Sequence, residues 1–457
     1  MTPLRFPFPP PCGAVCLERC LQQRDLPLFV RVSSELAAWE TYVRRVRRPV
    51  RPPAEGRRGP RGQQERGNRI VVLDALRLVA ALMVVFYHYV AFGEGWDGPQ
   101  AQLFPVLFRP SAYGWLGVHL FFMISGFVIC MSCWGRTVPD FFTSRVIRLF
   151  PAYWLGVLAT TAVVTLAPGG LAPHAWRDVL VNLTMLQWPV AVEHVDGVYW
   201  TLWAEMRFYL LFALVVWRGL TYRRVVAFCC VWATAALLAK GYGSGPLSDL
   251  LMAQYCWFFI AGLAFYLIHR FGQNTLLWGI VALCFAMGQL TAVRGWRRTL
   301  QYVGHNVPSW GVAVLITLFF AVMAGVSLGW FRRVDWRWLP AAGALTYPLY
   351  LLHESIGWEI FHHLQYRVDR WALLGSAVLG MLLLAHLVHR WVERPVSRRL
   401  RTALNASFAQ MRAGDEDAKG HTPPGGGPRT VIGHSGVTLP EQRGPELEGA
   451  PAAGAVH

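Results

Sequence analysis

Ten apolar segments, each about as long as a membrane-spanning helix, constrain this chain more than any other feature of its sequence. They lie at about 70–92, 113–133, 149–167, 199–217, 223–239, 250–268, 275–293, 309–329, 339–360 and 371–391. An α-helix rises about 1.5 Å per residue, so roughly twenty apolar residues cross the ~30 Å hydrocarbon core. Because 54% of the residues are apolar and only 15% are charged, one large water-soluble domain is excluded. We predict an all-α fold, a polytopic membrane helix bundle of about ten transmembrane helices.

The two ends of the chain differ from the apolar middle. Residues 1–68 are rich in Arg and Pro, and residues 403–457 are rich in Gly, Pro and Ala. We predict that both are disordered and that they flank a membrane domain at 69–402. Arginines precede the first segment and follow the last, and an even number of spans puts both termini on one side, which the positive-inside rule makes the cytoplasm.

The formal net charge of +17 is spread over the ends and the short gaps between apolar segments. This is the distribution of topology signals, so we expect the lipid bilayer, and no nucleic acid, as the surrounding partner. The nine cysteines lack the spacing and the neighbouring histidines of a metal site, and we expect neither a metal nor a required disulfide. The sequence gives no indication of the oligomeric state.

The first apolar segment contains three ionisable residues, although each charge at mid-bilayer costs at least ~2.5–3.5 kcal/mol. They are Asp74, Arg77 and His88. Arg77 and His88 are eleven residues apart, so on a regular helix they project within ~20° of each other, and Asp74 lies on the same face. The three residues form either a structural ion pair with a packed histidine or a polar stripe that leads into a functional cavity.

Two later segments carry titratable groups at a similar depth. Counted along their helices, Glu205 of the fourth segment and His353 of the ninth lie at about the level of His88. A histidine with a nearby carboxylate is suited to general-base catalysis, and a proton relay has the same composition. We therefore regard all three as candidate catalytic residues, and Glu205 as a group that orients the imidazole.

Two further features are candidates for binding. Ser125 and Gly126 lie in the middle of the second segment, where small residues admit either a ligand or a neighbouring helix. Arg145 and Arg148 are three residues apart at the start of the third segment, and two guanidinium groups at that spacing suit a phosphate or pyrophosphate. Positive-inside anchoring explains the two arginines equally well.

Six short motifs follow one another through the predicted membrane domain. They are Leu73-Asp74-Ala75-Leu76-Arg77 with His88; Gly117, Phe121, Phe122 and Ser125-Gly126-Phe127; Arg145, Arg148 and Pro151; Trp200, Leu202, Glu205, Phe208 and Tyr209; Tyr347 to His353; and Glu393-Arg394-Pro395. With these motifs the chain resembles, from about Arg69 to Arg401, acyltransferase family 3, the bacterial integral-membrane O-acyltransferases that include exopolysaccharide and O-antigen acetylases. Ala75 and Leu78 stand where this family commonly has Gly.

The resemblance implies a function. An acyl group, often acetyl, would pass from cytoplasmic acyl-CoA (acetyl-CoA) to a hydroxyl of a glycan or glycolipid at the bacterial plasma membrane, with no tightly bound cofactor. It implies that His88 is essential, that Arg77 is required with it, and that Arg145 and Arg148 lie near the donor. We expect direct transfer with His88 as general base, because the sequence places no evident base beside Ser125.

Other interpretations stay open. A secondary transporter or proton-coupled flippase also carries intramembrane charges, but it predicts repeat symmetry that the sequence lacks. A structural membrane scaffold leaves Asp74, Arg77 and His88 without a role. An antibiotic or another secondary metabolite is an alternative acceptor.

Overall fold

The computed structural model describes residues 70–241, 245–303 and 307–420 of the chain. Within these ranges all regular structure is helical. The extension predicted to be disordered, 1–68, lies outside the described residues, and so does the C-terminal tail beyond residue 420.

The first half of the described chain is a series of long helices joined by short ones. In order, the helices are α1 (Val72–Phe86), which continues into a π-helical turn (Tyr87–Ala91), α2 (Gln100–Leu103), α3 (Phe108–Ala112), a 3₁₀ turn (Gly114–Leu116), α4 (Gly117–Cys133), α5 (Val138–Leu166), α6 (Trp176–Leu183), a second 3₁₀ turn (Gly197–Tyr199), α7 (Trp200–Trp217) and α8 (Tyr222–Gly241).

The second half follows the same plan. Its helices are α9 (Pro246–Leu250), α10 (Cys256–Phe271), α11 (Thr275–Val303), α12 (Trp310–Ser327), α13 (Leu339–Leu352), α14 (Glu354–Leu364), α15 (Arg370–Val388), a π-helical turn (His389–Glu393) and α16 (Arg394–Gly420). Helix α16 continues past residue 402, where we predicted the membrane domain to end.

Among the described residues, eight helical segments are long and apolar enough to cross a membrane. Two shorter apolar helices, α10 and α13, occupy the positions of the predicted sixth and ninth segments. The prediction of an all-α polytopic membrane bundle is therefore confirmed. Helix α5, which contains the third predicted apolar segment, begins earlier than predicted, at Val138. The Thr137 side chain caps its start by accepting a hydrogen bond from the N–H of Asp140.

Helices α4 and α10 pack at close range in the middle of the bundle, where both have glycine. A Cβ atom on Gly126 would lie 2.2 Å from the carbonyl oxygen of Phe259, and one on Gly262 would lie 2.1 Å from that of Met123. Small residues permit such close approach between membrane helices. The structure thus places Gly126, a predicted donor-binding residue, at a helix contact rather than on a cavity wall.

The predicted ninth span is not one helix, because it breaks at His353. The Nδ1 atom of His353 bonds the carbonyl of Tyr350, 2.9 Å away, which Glu354 would use if the helix continued. The next backbone N–H, that of Ser355, donates to Asp196 Oδ2 at 3.1 Å. Non-helical backbone at membrane depth is tolerated only where its polar groups find such partners. The break therefore depends on Asp196, which lies directly before the 3₁₀ turn Gly197–Tyr199.

The π-helical turn at the end of α1 displaces the backbone around His88. The N–H of Phe92 donates to Tyr87 O at 2.8 Å, which leaves the carbonyl of His88 without its usual helical donor. The indole Nε1 of Trp358, on α14, donates to that carbonyl at 2.9 Å. This pair of hydrogen bonds fixes the end of α1 against α14. Single π turns of this kind are frequent at functional sites.

Candidate active site

The centre of the site is a pair of histidines that lie far apart in the sequence. His88 Nδ1 lies 2.8 Å from His353 Nε2, and both imidazoles are buried. The π-helical turn positions the first ring and the break between α13 and α14 positions the second. Two of the three groups predicted to lie at one level are thus in direct contact.

The hydrogen bonds around this pair determine where the protons lie. His353 Nδ1 faces the carbonyl oxygen of Tyr350, which can only accept, so Nδ1 carries the proton. His353 Nε2 is then an acceptor when the ring is neutral, and His88 Nδ1 must donate to it. The remaining nitrogen, His88 Nε2, has a free lone pair. This is the protonation state that a general base requires.

The carboxylate closest to this lone pair belongs to Glu354 and not to Glu205. Glu354 Oε1 lies 3.7 Å from His88 Nε2, and its side chain packs over the backbone of Gly197. When it is ionised, the Glu354 carboxylate stabilises the imidazolium that forms as His88 takes a proton. Glu354 borders His353 in the sequence, and that adjacency was the signal that could have identified it.

Asp196 is a second acidic residue of this site, and sequence reasoning missed it. It is 1% exposed, and its carboxylate accepts the N–H groups of Val198 and Ser355. Burial raises the pKa of the Asp196 carboxyl above its ordinary value, although hydrogen bonds with Glu354 and with the two N–H groups act in the opposite direction. An Asp directly before a 3₁₀ turn is commonly just a capping residue, so the sequence alone does not identify Asp196 as part of the site.

A second group of predicted residues lines a separate cavity, which we call the arginine cavity. Its walls include Arg77, Ser125, Arg145, Arg148 and Glu205. Three guanidinium groups and one carboxylate give this cavity a net positive charge. Asp74 does not line it, but its Oδ1 lies 3.5 Å from Arg77 Nη1 and is buried against Gly343. Asp74 therefore acts on the cavity through Arg77.

The two arginines of α5 differ in their surroundings. Arg145 is buried; its Nε donates to Ser144 Oγ and its Nη2 to Ser132 Oγ, both at 3.3 Å. Its Nη1 is buried without a hydrogen-bond partner among the described residues. Arg148 lines the same cavity but is exposed. A buried guanidinium with one unused N–H group beside an exposed one is suited to bind an anion.

Glu205 is engaged in the arginine cavity and does not orient His88. Its Oε1 accepts a hydrogen bond from Ser125 Oγ at 2.6 Å and another from the hydroxyl of Tyr209. The expected role of Glu205 beside the imidazole is therefore not what this geometry favours. Because Ser125 donates to it, Glu205 is also a base beside Ser125, which the sequence did not reveal.

His88 and Glu354 line the other side of the site, a cavity of about 480 Å³ that we call the histidine cavity. Its walls also include His119, Trp115 and Trp200. The arginine and histidine cavities share two wall residues, Val118 and Tyr350. Arg77, near the start of α1, therefore lines the arginine cavity, and His88, just beyond its end, lines the histidine cavity. The two cavities meet at Val118 and Tyr350.

In the described ranges, no group of three or more His, Cys, Asp or Glu side chains is placed to hold a metal ion. The six cysteines that the structure describes are all free, and Cys12, Cys16 and Cys20 lie outside the described residues.

Several known proteins are similar to this chain in sequence. The chain is 26% identical over 394 residues to "Nodulation protein 10" of Rhizobium leguminosarum bv. viciae, covering 76% of this chain and 98% of that protein. It is 25% identical over 398 residues to "Acyltransferase MdmB" of Streptomyces mycarofaciens, covering 77% and 97%. A 114-residue stretch is 36% identical to "Exopolysaccharide production protein ExoZ" of Rhizobium meliloti (strain 1021), covering 22% and 33%.

No solved structure matches this chain. The model of a family described as "Acyltransferase domain" matches residues 70–390, which include both cavities and every residue of the histidine pair. The chain is therefore a member of acyltransferase family 3, an integral-membrane O-acyltransferase.

Proposed function

We propose that this protein transfers an acyl group, most simply acetyl, from cytoplasmic acyl-CoA to a hydroxyl of an extracytoplasmic or lipid-linked carbohydrate. The observation that carries the proposal is the hydrogen bond between His88 and His353, which leaves His88 Nε2 as a free base. The names of the relatives support acyl transfer, and one of them concerns an exopolysaccharide.

The donor belongs in the arginine cavity. Acyl-CoA carries phosphates at one end and a thioester at the other, and Arg77, Arg145 and Arg148 supply three positive charges at that end of the bundle. If both termini are cytoplasmic, as we propose for a bacterial plasma membrane protein, this end faces the cytoplasm. The thioester then lies toward Val118 and Tyr350, where the two cavities meet.

The acceptor belongs in the histidine cavity, and the reaction follows from the positions of the protons. The acceptor oxygen attacks the thioester carbonyl while His88 Nε2 takes the hydroxyl proton. The C–S bond then breaks, an ester is formed, and the imidazolium returns its proton to the leaving thiolate. Glu354, 3.7 Å from His88 Nε2, stabilises the positive charge between these two steps.

The hydrogen bond from Ser125 to Glu205 favours a second route within the same function. Glu205 could take the proton of Ser125 as its Oγ attacks the thioester, which would form an acyl-Ser125 ester in the arginine cavity. His88 lines the other cavity, so the acyl group would still have to pass Tyr350 before the acceptor attacked it. Direct transfer requires one step fewer, and we prefer it.

Membranes that contain the full chain provide the test. Acetyl-CoA labelled in its acetyl group should transfer label to carbohydrate or glycolipid in these membranes, and His88→Gln membranes with equal protein content should transfer none. Label that appears equally in both membranes would show that His88 is not the base. Membranes with abundant protein that label no acceptor from any acyl-CoA would contradict the proposed function.

A further inference from the structure

A third cavity opens beside the histidine cavity, and the proposed mechanism does not use its charged residues. We call it the basic cavity. It has a volume of about 530 Å³, within the range of roughly 300–1,000 Å³ that is usual for ligand sites. The side chains that line it and bear on its chemistry are Trp188, Trp200, Arg207, Lys240, Asp249, Tyr255, Arg294 and Arg298.

Positive charge dominates the walls of this cavity. Three separate helices contribute the cations, namely Arg207 from α7, Lys240 from α8, and Arg294 and Arg298 from α11. Asp249 is the one acidic side chain among the described lining residues, and it is exposed. Arg294 and Arg298 are exposed, and Arg207 and Lys240 are partly buried. Four cations that line one cavity repel one another, and an anion bound there would reduce that repulsion.

Arg207 is held in place at the wall of the basic cavity. Its Nη1 donates to the backbone carbonyl of Asp249, and its guanidinium lies 5.7 Å from the ring centroid of Trp203. Its Nε atom is buried without a hydrogen-bond partner among the described residues. One face of the guanidinium is thus fixed by the protein while part of its donor capacity stays unused. A planar group held in this way is suited to a phosphate or a carboxylate.

The basic cavity communicates with the catalytic histidine through shared aromatic walls. Trp200 and Tyr255 line both it and the histidine cavity, and their ring centroids are 5.2 Å apart. The basic cavity therefore lies at the His88 end of α1, and the arginine cavity lies toward the Arg77 end. If the termini are cytoplasmic, positive-inside anchoring explains Arg145 and Arg148 but not the cations of the basic cavity.

We propose that the basic cavity binds an anionic group, a phosphate or a carboxylate, that is part of the acyl acceptor. This inference rests on the proposed function and names the class of acceptor as a negatively charged carbohydrate. Charge pairing with Arg294, Arg298 and Arg207 anchors the acceptor. The aromatic side chains between the two cavities then guide its hydroxyl toward His88.

A binding experiment tests the proposal without requiring turnover. The purified full chain in zwitterionic nanodiscs is titrated with glucose 1-phosphate and, separately, with glucose, and binding is followed by saturation-transfer NMR. We expect the phosphorylated sugar to bind about tenfold more tightly. The double variant Arg294→Gln/Arg298→Gln should lose this preference, because it removes two charge-assisted contacts. Equal binding of the two sugars by the wild type would overturn the proposal.

Matched variants separate a charge effect from a folding defect. Arg297 is exposed and adjacent in sequence but does not line the cavity, so Arg297→Gln should keep the full preference. The double variant Arg294→Lys/Arg298→Lys retains both charges and should keep most of it. If the Gln and Lys double variants lose the preference equally while Arg297→Gln retains it, geometry rather than charge is responsible and the proposal of an anion site fails.

Two further experiments determine whether the anion belongs to the acceptor or to a lipid headgroup. In nanodiscs that contain phosphatidylglycerol, the preference for glucose 1-phosphate should persist, and its loss would assign the cavity to a lipid headgroup instead. In transfer assays with a matched acidic and neutral acceptor, Arg294→Gln/Arg298→Gln should raise KM for the acidic acceptor alone, and an equal change for both would overturn the proposal. A wild type that acylates neither acceptor but binds glucose 1-phosphate preferentially would contradict the proposed function and not the anion site.

Discussion

His88 Nδ1 and His353 Nε2 lie 2.8 Å apart, although 265 residues separate them in the chain. The contact requires two interruptions of regular helix, the π-helical turn at Tyr87–Ala91 and the break before α14. Because Tyr350 fixes the proton on the distal ring, His353 can only accept from His88 when both rings are neutral. His353 thus orients His88 and fixes its tautomer.

The first prediction concerns His88. His88→Gln keeps polarity and approximate size but has no group that takes a proton at neutral pH. We expect turnover to fall by at least about 100-fold, the usual lower bound for loss of a general base, while acyl-CoA binding is unchanged. The measurement is acetyl transfer in membranes together with donor binding. His386→Gln, at an exposed position of α15, is the control. A His88→Gln protein that retains more than about a tenth of wild-type activity would identify another base.

The second prediction concerns the donor end. Arg148→Gln removes a cation from the arginine cavity and should raise KM for acyl-CoA by about tenfold, with little change in KM for the acceptor. Arg136→Gln is a suitable control, because Arg136 is exposed near the start of α5 and does not line the cavity. Steady-state kinetics with each substrate varied in turn distinguish the two effects. An unchanged donor KM in correctly inserted protein would remove Arg148 from the donor site.

The third prediction separates direct transfer from a covalent route. Ser125→Ala removes the hydroxyl that donates to Glu205 and leaves the histidine pair untouched. Direct transfer predicts that turnover stays within about tenfold of wild type, because only a wall contact is lost. Intact-protein mass spectrometry after rapid quenching should then find no acetyl adduct on the wild type. An adduct at Ser125, together with an inactive Ser125→Ala protein, would establish the acyl-enzyme instead.

The fourth prediction concerns Asp196 and pH. Because burial raises its pKa in the folded protein, the folded state binds this proton more tightly than the unfolded state. The associated destabilisation is absent below the ordinary Asp range and develops as pH rises through the folded-state pKa. The melting temperature of the wild type in detergent should therefore fall, relative to that of Asp196→Asn, as pH increases above about 4. Parallel melting curves across this interval would show that Asp196 contributes no such linkage.

The prediction of Glu205 illustrates where counting along helices fails. A depth count put Glu205 level with His88. The count cannot tell which way a side chain points, and in the folded protein Glu205 faces Ser125 and Tyr209 in a different cavity. Gly126 lies at a close helix contact, and a glycine needed for helix contact has the same sequence appearance as one needed for a ligand.

The sequence by itself determined the membrane bundle, because apolar segments of a helix's spanning length have few other stable folds. It also determined the family and singled out the four charged residues that line the arginine cavity, since intramembrane charges are costly and therefore conspicuous. Only the tertiary structure decided which of these groups meet. Glu354 and Asp196 reach His88 and the helix break through contacts between distant elements, namely a π-helical turn, a 3₁₀ turn and an interrupted helix. Such irregular backbone is stabilised by hydrogen bonds across the fold, and no local sequence pattern specifies them.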